Sequence, residues 1–456
     1  MSILLVLGSL APANASVQLG SACKSLNQTK TIKGQKLICL KKGSKKIWSK
    51  DVRSASVRDS APAKTPTSSS ASPAPQEVSI PDPQISDRNL FAPVSECKLP
   101  LVGESSDLFT GFPRNPKYIP ADGDRKSVVL FVDFPDLAAD SKAIAEWKNS
   151  QIPFAEKAFE FMSYGKYRLK FDVIEKFFQI PSKWQSFVKN EAGNLPGSTP
   201  ALAMNHQKLI LETLNLADSE VDFSKYDFIN IVTPGTTPKV EPGASGAGGF
   251  NVDGKTNFLA ISGPADEYLG DPIKANFLAH ETGHLLGLTH IYDFRQRQGA
   301  WDLMGNVFAN NDIYGWSKLF LAWINDNQVN CLPKDSTQES THLITPVGNK
   351  DDGTKLVMIP IGQTQVIVIE SRRSSSLDNI DQNAEGVLVY RVDTSISDGK
   401  GTIAILSNPN KVSRDKRGNE VVLGTLKVNE SVQVSGFTVK YLKRASSGDF
   451  VAVKKG

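Results

Sequence analysis

Histidine, methionine and cysteine are scarce in this chain, with five, five and four copies among 456 residues. A cluster of any of them is therefore improbable on composition alone. Beyond the N-terminus no apolar run is long enough to span a bilayer, so no transmembrane segment is expected. None of Cys23, Cys39, Cys97 and Cys331 lies in a C-x-x-C pair, which argues against a cysteine zinc site. The glycine run Gly243 to Gly249 does not match G-x-x-x-x-G-K-[ST], and no helix pattern follows it directly. That excludes a phosphate loop, and Pro234 to Gly254 reads as a mobile surface loop. No internal repeat is present.

What is there is unevenly spread. The net charge is +4, yet residues 21–64 hold twelve Lys/Arg against only Asp51 and Asp59. A basic front on a mildly acidic body suggests contact with an anionic cell-envelope polymer, or else a solubilising segment. Ile3 to Leu10 is an apolar core followed by the small-x-small triplet Ala13-Asn14-Ala15, the pattern of a short secretory signal cut after Ala15. No Lys or Arg precedes that core. Export suits an even, sparse cysteine count, which predicts the disulfides Cys23–Cys39 and Cys97–Cys331. A free Cys97 capping a catalytic metal is the competing reading.

Composition and periodicity divide the chain into five parts. Residues 1–15 are the signal and 16–53 a small basic β module. Residues 54–88 form a Ser/Pro/Ala-rich linker, 89–331 the main domain and 332–456 a β-rich C-terminal domain. In the main domain, strands are predicted at Ser127–Phe134, Tyr167–Phe178, Tyr226–Val232 and Thr256–Ser262. Helices are predicted at Ser141–Phe161, Pro200–Leu216 and Asn276–Leu286. Further strands are expected at Leu356–Ile361, Gln365–Glu370, Gly386–Val392 and Phe437–Leu442.

Three of the five histidines fall within eleven residues: His280, Glu281, His284, Gly287 and His290 spell H-E-x-x-H-x-x-G-x-x-H. On a helix, His280 and His284 project from one face a turn apart, a separation at which two imidazoles share one tetrahedral Zn2+. Gly287 lets the chain turn out of the helix so that His290 returns as third ligand. A fourth position left open marks a catalytic site, where zinc lowers the pKa of water from 15.7 to about 7. Glu281 is then the general base. His206 and His342 receive no role.

The extended motif resembles the metzincin clan, whose members place a methionine turn beneath the zinc. Trp301-Asp302-Leu303-Met304-Gly305 fits that turn, with Met304 as the floor. Tyr314 to Ile324, Val129 to Asp136, Met162 to Lys166, Glu370 to Arg373 and Gly386 to Asp393 together resemble the immune-inhibitor-A-type secreted metallopeptidases of bacteria. Residues 21–50 resemble small Cys…Lys-Gly…Cys…Trp modules of exported actinobacterial proteins.

The resemblance implies an α+β metzincin-like catalytic domain, with a twisted mixed sheet over the active-site helix, and a β-rich domain behind it. It implies a secreted zinc endopeptidase acting on protein or peptide substrates laid along an edge strand, with Thr256–Ser262 as candidate. Nucleic acid is not an expected partner. Many members carry Asp where this chain has His290, which makes Asp293 an alternative ligand. Ca2+ in Asp378 to Glu385, as relatives sometimes hold, is a further expectation, although that run does not fit an EF-hand loop. The alternative function is an envelope-binding protein with a non-catalytic fold of the same kind.

Overall fold

Three short strands open the described chain: β1 (Thr29–Ile32), β2 (Gln35–Lys42) and β3 (Lys45–Lys50), paired antiparallel. Leu37, Cys39 and Trp48 are buried on them, and Cys23–Cys39 is a disulfide. A sheet this small hides little surface, and the bridge compensates by restricting the unfolded chain. In the computed structural model the described residues are 21–23, 28–32, 35–42, 45–50, 81–102, 108–192, 202–204, 206–235, 243–263, 275–291, 301–308, 311–375, 377, 380, 384–414 and 420–456. The signal segment, most of the linker and Asp293 lie outside them. Residues 1–79 and 80–456 are two compact units.

The second unit contains a five-stranded sheet. Its first strand, β4 (Gly123–Asp133), sends Val128, Leu130 and Val132 to one face and Val129 and Phe131 to the other, all buried. Such a strand reads as an unbroken apolar run because both faces are covered. The predicted helix Ser141–Phe161 is instead two helices, α1 (Ala143–Asn149) and α2 (Gln151–Met162), broken at Ser150. Pro153 is the cause: it cannot donate within a helix and would clash with the carbonyl of Asn149, so it sits in a first turn.

Strand β5 (Tyr167–Gln179) follows, then a small hairpin of β6 (Val188–Ala192) and β7 (Leu202–Met204). Helix α3 (His206–Ala217) starts later than the predicted Pro200, because part of that stretch is strand β7. Strands β8 (Phe228–Val232), β9 (Gly243–Val252) and β10 (Lys255–Ser262) complete the sheet. Its order is β5-β4-β8-β10-β9, parallel except for β9.

Two expectations are corrected here. The glycine-rich run is strand β9 rather than a loop, because backbone pairing with β10 needs no side chain. Thr256–Ser262 is flanked by β8 and β9, so it is an inner strand, and among the described residues β5 and β9 are the two edges. Helix α4 (Phe277–Leu285) packs against β9 and β10, and α2 lies beside it.

After α5 (Gly315–Phe320) the chain forms two more sheets. One has the order β11 (Val329–Cys331), β13 (Leu356–Pro360), β14 (Gln365–Arg372), β15 (Gly386–Asp393) and β16 (Ile403–Ile405). The other joins β12 (Ser340–Ile344), β21 (Asp449–Lys455), β20 (Phe437–Arg444) and β19 (Ser431–Val434), while β17 (Val412–Arg414) pairs β18 (Glu420–Val422). The middle sheet is buried on both sides. Val357, Ile359, Ile367 and Ile369 meet the last sheet, whereas Leu356, Met358, Val366 and Val368 join the core that holds α2, α4 and α5. Cys97 is disulfide-bonded to Cys331, so it is not a free thiol available to cap a metal. No helix among the described residues is long and apolar enough to cross a membrane.

Candidate metal centre

Helix α4 carries His280, Glu281 and His284, all buried. Its last carbonyls are satisfied from outside: Ile119 N–H donates to Leu285 O at 3.1 Å and Arg114 Nε to Leu286 O at 2.9 Å. The chain then reverses at Gly287, whose φ is +90°, while Leu288 N–H donates back to Gly283 O at 3.1 Å. A side chain at position 287 would be strained, and its Cβ would lie 2.5 Å from the Tyr118 ring. The reversal returns His290 to the helix face.

The three imidazoles converge through Nε2. His284 Nε2 lies 3.2 Å from His280 Nε2 and 3.0 Å from His290 Nε2. Each Nδ1 faces an acceptor: Leu303 O at 3.2 Å for His280, Leu288 O at 2.7 Å for His284 and an Asp398 oxygen at 2.9 Å for His290. Those acceptors assign the ring proton to Nδ1, which leaves three bare Nε2 lone pairs aimed at one point. Burial, and then the neighbouring His290, push His280 down to about 4, and burial lowers His284 well below its usual value. At neutral pH these two rings are uncharged, the state that ligates metal.

Lone pairs this close repel unless a cation lies between them. A tetrahedral ion with Zn–N of 2.0–2.1 Å separates its nitrogens by roughly 3.3 Å, near the observed spacing. The donor set thus fits a zinc-sized ion, and among the described residues it is the one His/Cys/Asp/Glu group of this kind.

Beneath it, Met304 is buried in the 301–305 turn, and a Cβ at Gly283 would meet its Sδ at 2.7 Å. Glycine there lets the helix settle on the methionine. Asp302 fixes the turn by accepting from Met304 N–H and Tyr314 N–H, both at 2.7 Å. Burial pushes its carboxyl up to about 7 against the pull of those two bonds. Glu370 on β14 accepts from Gly315 N–H and the Tyr390 hydroxyl, both at 2.8 Å. Arg372 donates to Ile313 O at 3.0 Å, so charged groups of the middle sheet brace the segment after the turn.

Asp398, Asp302 and Gly283 were not singled out from sequence. Asp398 stands 108 residues after His290, in a Ser-Asp-Gly turn whose only local signal is that it is a turn. Glu385, at the end of the run considered for Ca2+, accepts from Arg444 Nη2 at 2.6 Å and Ser374 N–H at 2.8 Å. Most of Asp378 to Glu385 lies outside the described residues. His342 is buried on β12 between Asn330 and Ser340, far in sequence from the motif.

No family model matches the chain, and no curated protein matches it. Among solved structures, wild type OgpA from Akkermansia muciniphila is similar in two crystal forms. In P 21 21 21 the identity is 12%, the TM-score 0.27, and 66% of this chain and 96% of that one are covered. In P 41 21 2 the identity is 12%, the TM-score 0.28, and the coverage 76% and 96%. At these TM-scores the likeness carries no argument about function.

Proposed function

We propose that the chain is a secreted zinc-dependent endopeptidase with a metzincin-like catalytic region. The observation that supports it is the convergence of three Nε2 lone pairs, two of them from the helix that also carries Glu281. His280, His284 and His290 would hold the ion. Zinc, when bound, supplies Lewis-acid activation of water and of the scissile carbonyl. Glu281 takes the proton of the attacking water and passes it to the departing amine. The substrate lies extended along β9, an edge strand among the described residues, adding a strand by main-chain hydrogen bonds. The two disulfides suit an extracellular setting.

The test is casein cleavage by the purified chain, with metal analysis. Glu281→Gln should retain one zinc per chain while turnover falls about 10²–10⁴-fold. Wild-type turnover in that variant would overturn the mechanism.

A second role is favoured by the register of the N-terminal sheet. Residues 21–50 carry nine lysines and no acidic residue, and the backbone register pairs position 41 with 46 and 42 with 45, all lysines, across β2 and β3. Like charges directly opposite destabilise a hairpin until an anion offsets them. The partner is an anionic cell-envelope polymer. Full-length protein should co-sediment with such polymer at low salt and release as salt rises, and a chain lacking residues 16–64 should not bind. Equal binding by both chains would remove this role.

A further inference from the structure

We infer that Asp398, on the loop after β15, is the positioning residue of the third metal ligand, so that the C-terminal β region completes the metal centre. This rests on the zinc reading of the three histidines.

His280 and His284 are held by a buried helix. His290 is not: it lies beyond Gly287 in irregular chain, with its side chain 27% exposed. Nothing in local secondary structure fixes that ring. Asp398 does so with both carboxylate oxygens, Oδ1 accepting from the His290 backbone N–H at 2.6 Å and Oδ2 facing Nδ1 at 2.9 Å. Gly399 N–H adds a bond to His290 O at 3.3 Å. One loop thus grips backbone and ring of one residue.

The loop is itself anchored. Thr394 N–H donates to Thr364 O at 2.8 Å, its hydroxyl to Pro100 O at 2.6 Å, and Asp393 N–H to Thr402 O at 2.9 Å. Gly399 and Gly401 take positive φ of +67° and +80°, which shape the turn that presents Asp398. An ordinary exposed ion pair contributes little and prescribes no tautomer. This grip does prescribe one. The carboxylate keeps the proton on Nδ1 and leaves Nε2 bare, as outer carboxylates do at histidine–metal sites.

The experiment uses the full chain as wild type, Asp398→Asn and Asp398→Ala. Zinc affinity is measured by competition with a chromogenic chelator, the cobalt-substituted visible spectrum reports ligand geometry, and the melting point of zinc-free protein reports folding. Asn keeps one acceptor and Ala none, so zinc affinity should fall about 10–100-fold for Asn and further for Ala, with an altered cobalt spectrum. In a His290→Ala background, Asp398→Asn should change zinc affinity no further. Wild-type affinity in Asp398→Ala would overturn the inference, as would an undiminished effect of Asp398→Asn in the His290→Ala background, which would mark a general structural role. A wild-type chain that binds no zinc would instead bring down the zinc reading itself, and this inference with it.

Discussion

Replacing Gly287 by Ala tests whether the reversal after α4 is what delivers His290. Two costs add. A φ of +90° is a conformation an L side chain takes only under strain, worth about 1–3 kcal/mol. The new Cβ would also sit 2.5 Å and 2.6 Å from Tyr118 Cδ2 and Cε2. Tyr118 is 2% exposed and has no room to swing away, so overpacking costs about another 1–3 kcal/mol. The sum, roughly 2–6 kcal/mol, is a large part of the 5–15 kcal/mol typical of a domain. Urea unfolding of zinc-free protein measures it. A cycle with Tyr118→Ala separates the parts: in that background Gly287→Ala should retain only the strain, so coupling is about 1–3 kcal/mol. Zinc affinity should drop as well, because His290 is three residues on. Unchanged urea midpoint and zinc affinity in Gly287→Ala would refute the reasoning.

Two further outcomes are expected. Replacing Cys97 and Cys331 by Ser together releases a link between residues 234 apart in sequence and should lower stability by about 2–5 kcal/mol, whereas a reductant-insensitive urea midpoint in wild type would contradict this. Burial pushes His342 down to about 4, below the 6.5 of an unfolded chain, so the unfolded state binds the proton first as pH falls. The stability due to neutral His342 is present above about 6.5 and is lost as pH falls toward 4, by roughly 3 kcal/mol at most. Urea unfolding from pH 7 to 4.5 should show a shallower decline in His342→Gln, and equal slopes would count against the assignment.

The three converging histidines were legible because their geometry is local. Residues four apart on a helix and a glycine three before the last histidine encode their own arrangement. Strand β4 was legible for a related reason, since burial on both faces leaves an apolar run in the sequence. Pro153 marked the break between α1 and α2, and a continuous helix was expected only because the apolar spacing ran across it. Strand β9 was illegible because glycines and alanines carry no alternation; its backbone bonds to β10 define it. Asp398 was illegible in a stronger sense. Its role depends on a contact between β15's loop and the end of α4, and nothing near residue 398 encodes a histidine 108 positions earlier.

The middle sheet, buried on both sides, has a consequence for how the chain can be made. Ala92 bonds to Cys331, Ser86 to Thr341 and His290 to Asp398, so segments made early await partners made much later. A ribosome releases His280, His284 and Glu281 well before β14 and β15 exist to cover the apolar side of α5 and brace the turn under Met304. The growing chain therefore carries these residues through synthesis without the scaffold that aligns them. The shared core closes only with the last quarter of the polypeptide, and a fragment ending near residue 331 would expose one face of that core instead of folding as a free-standing unit.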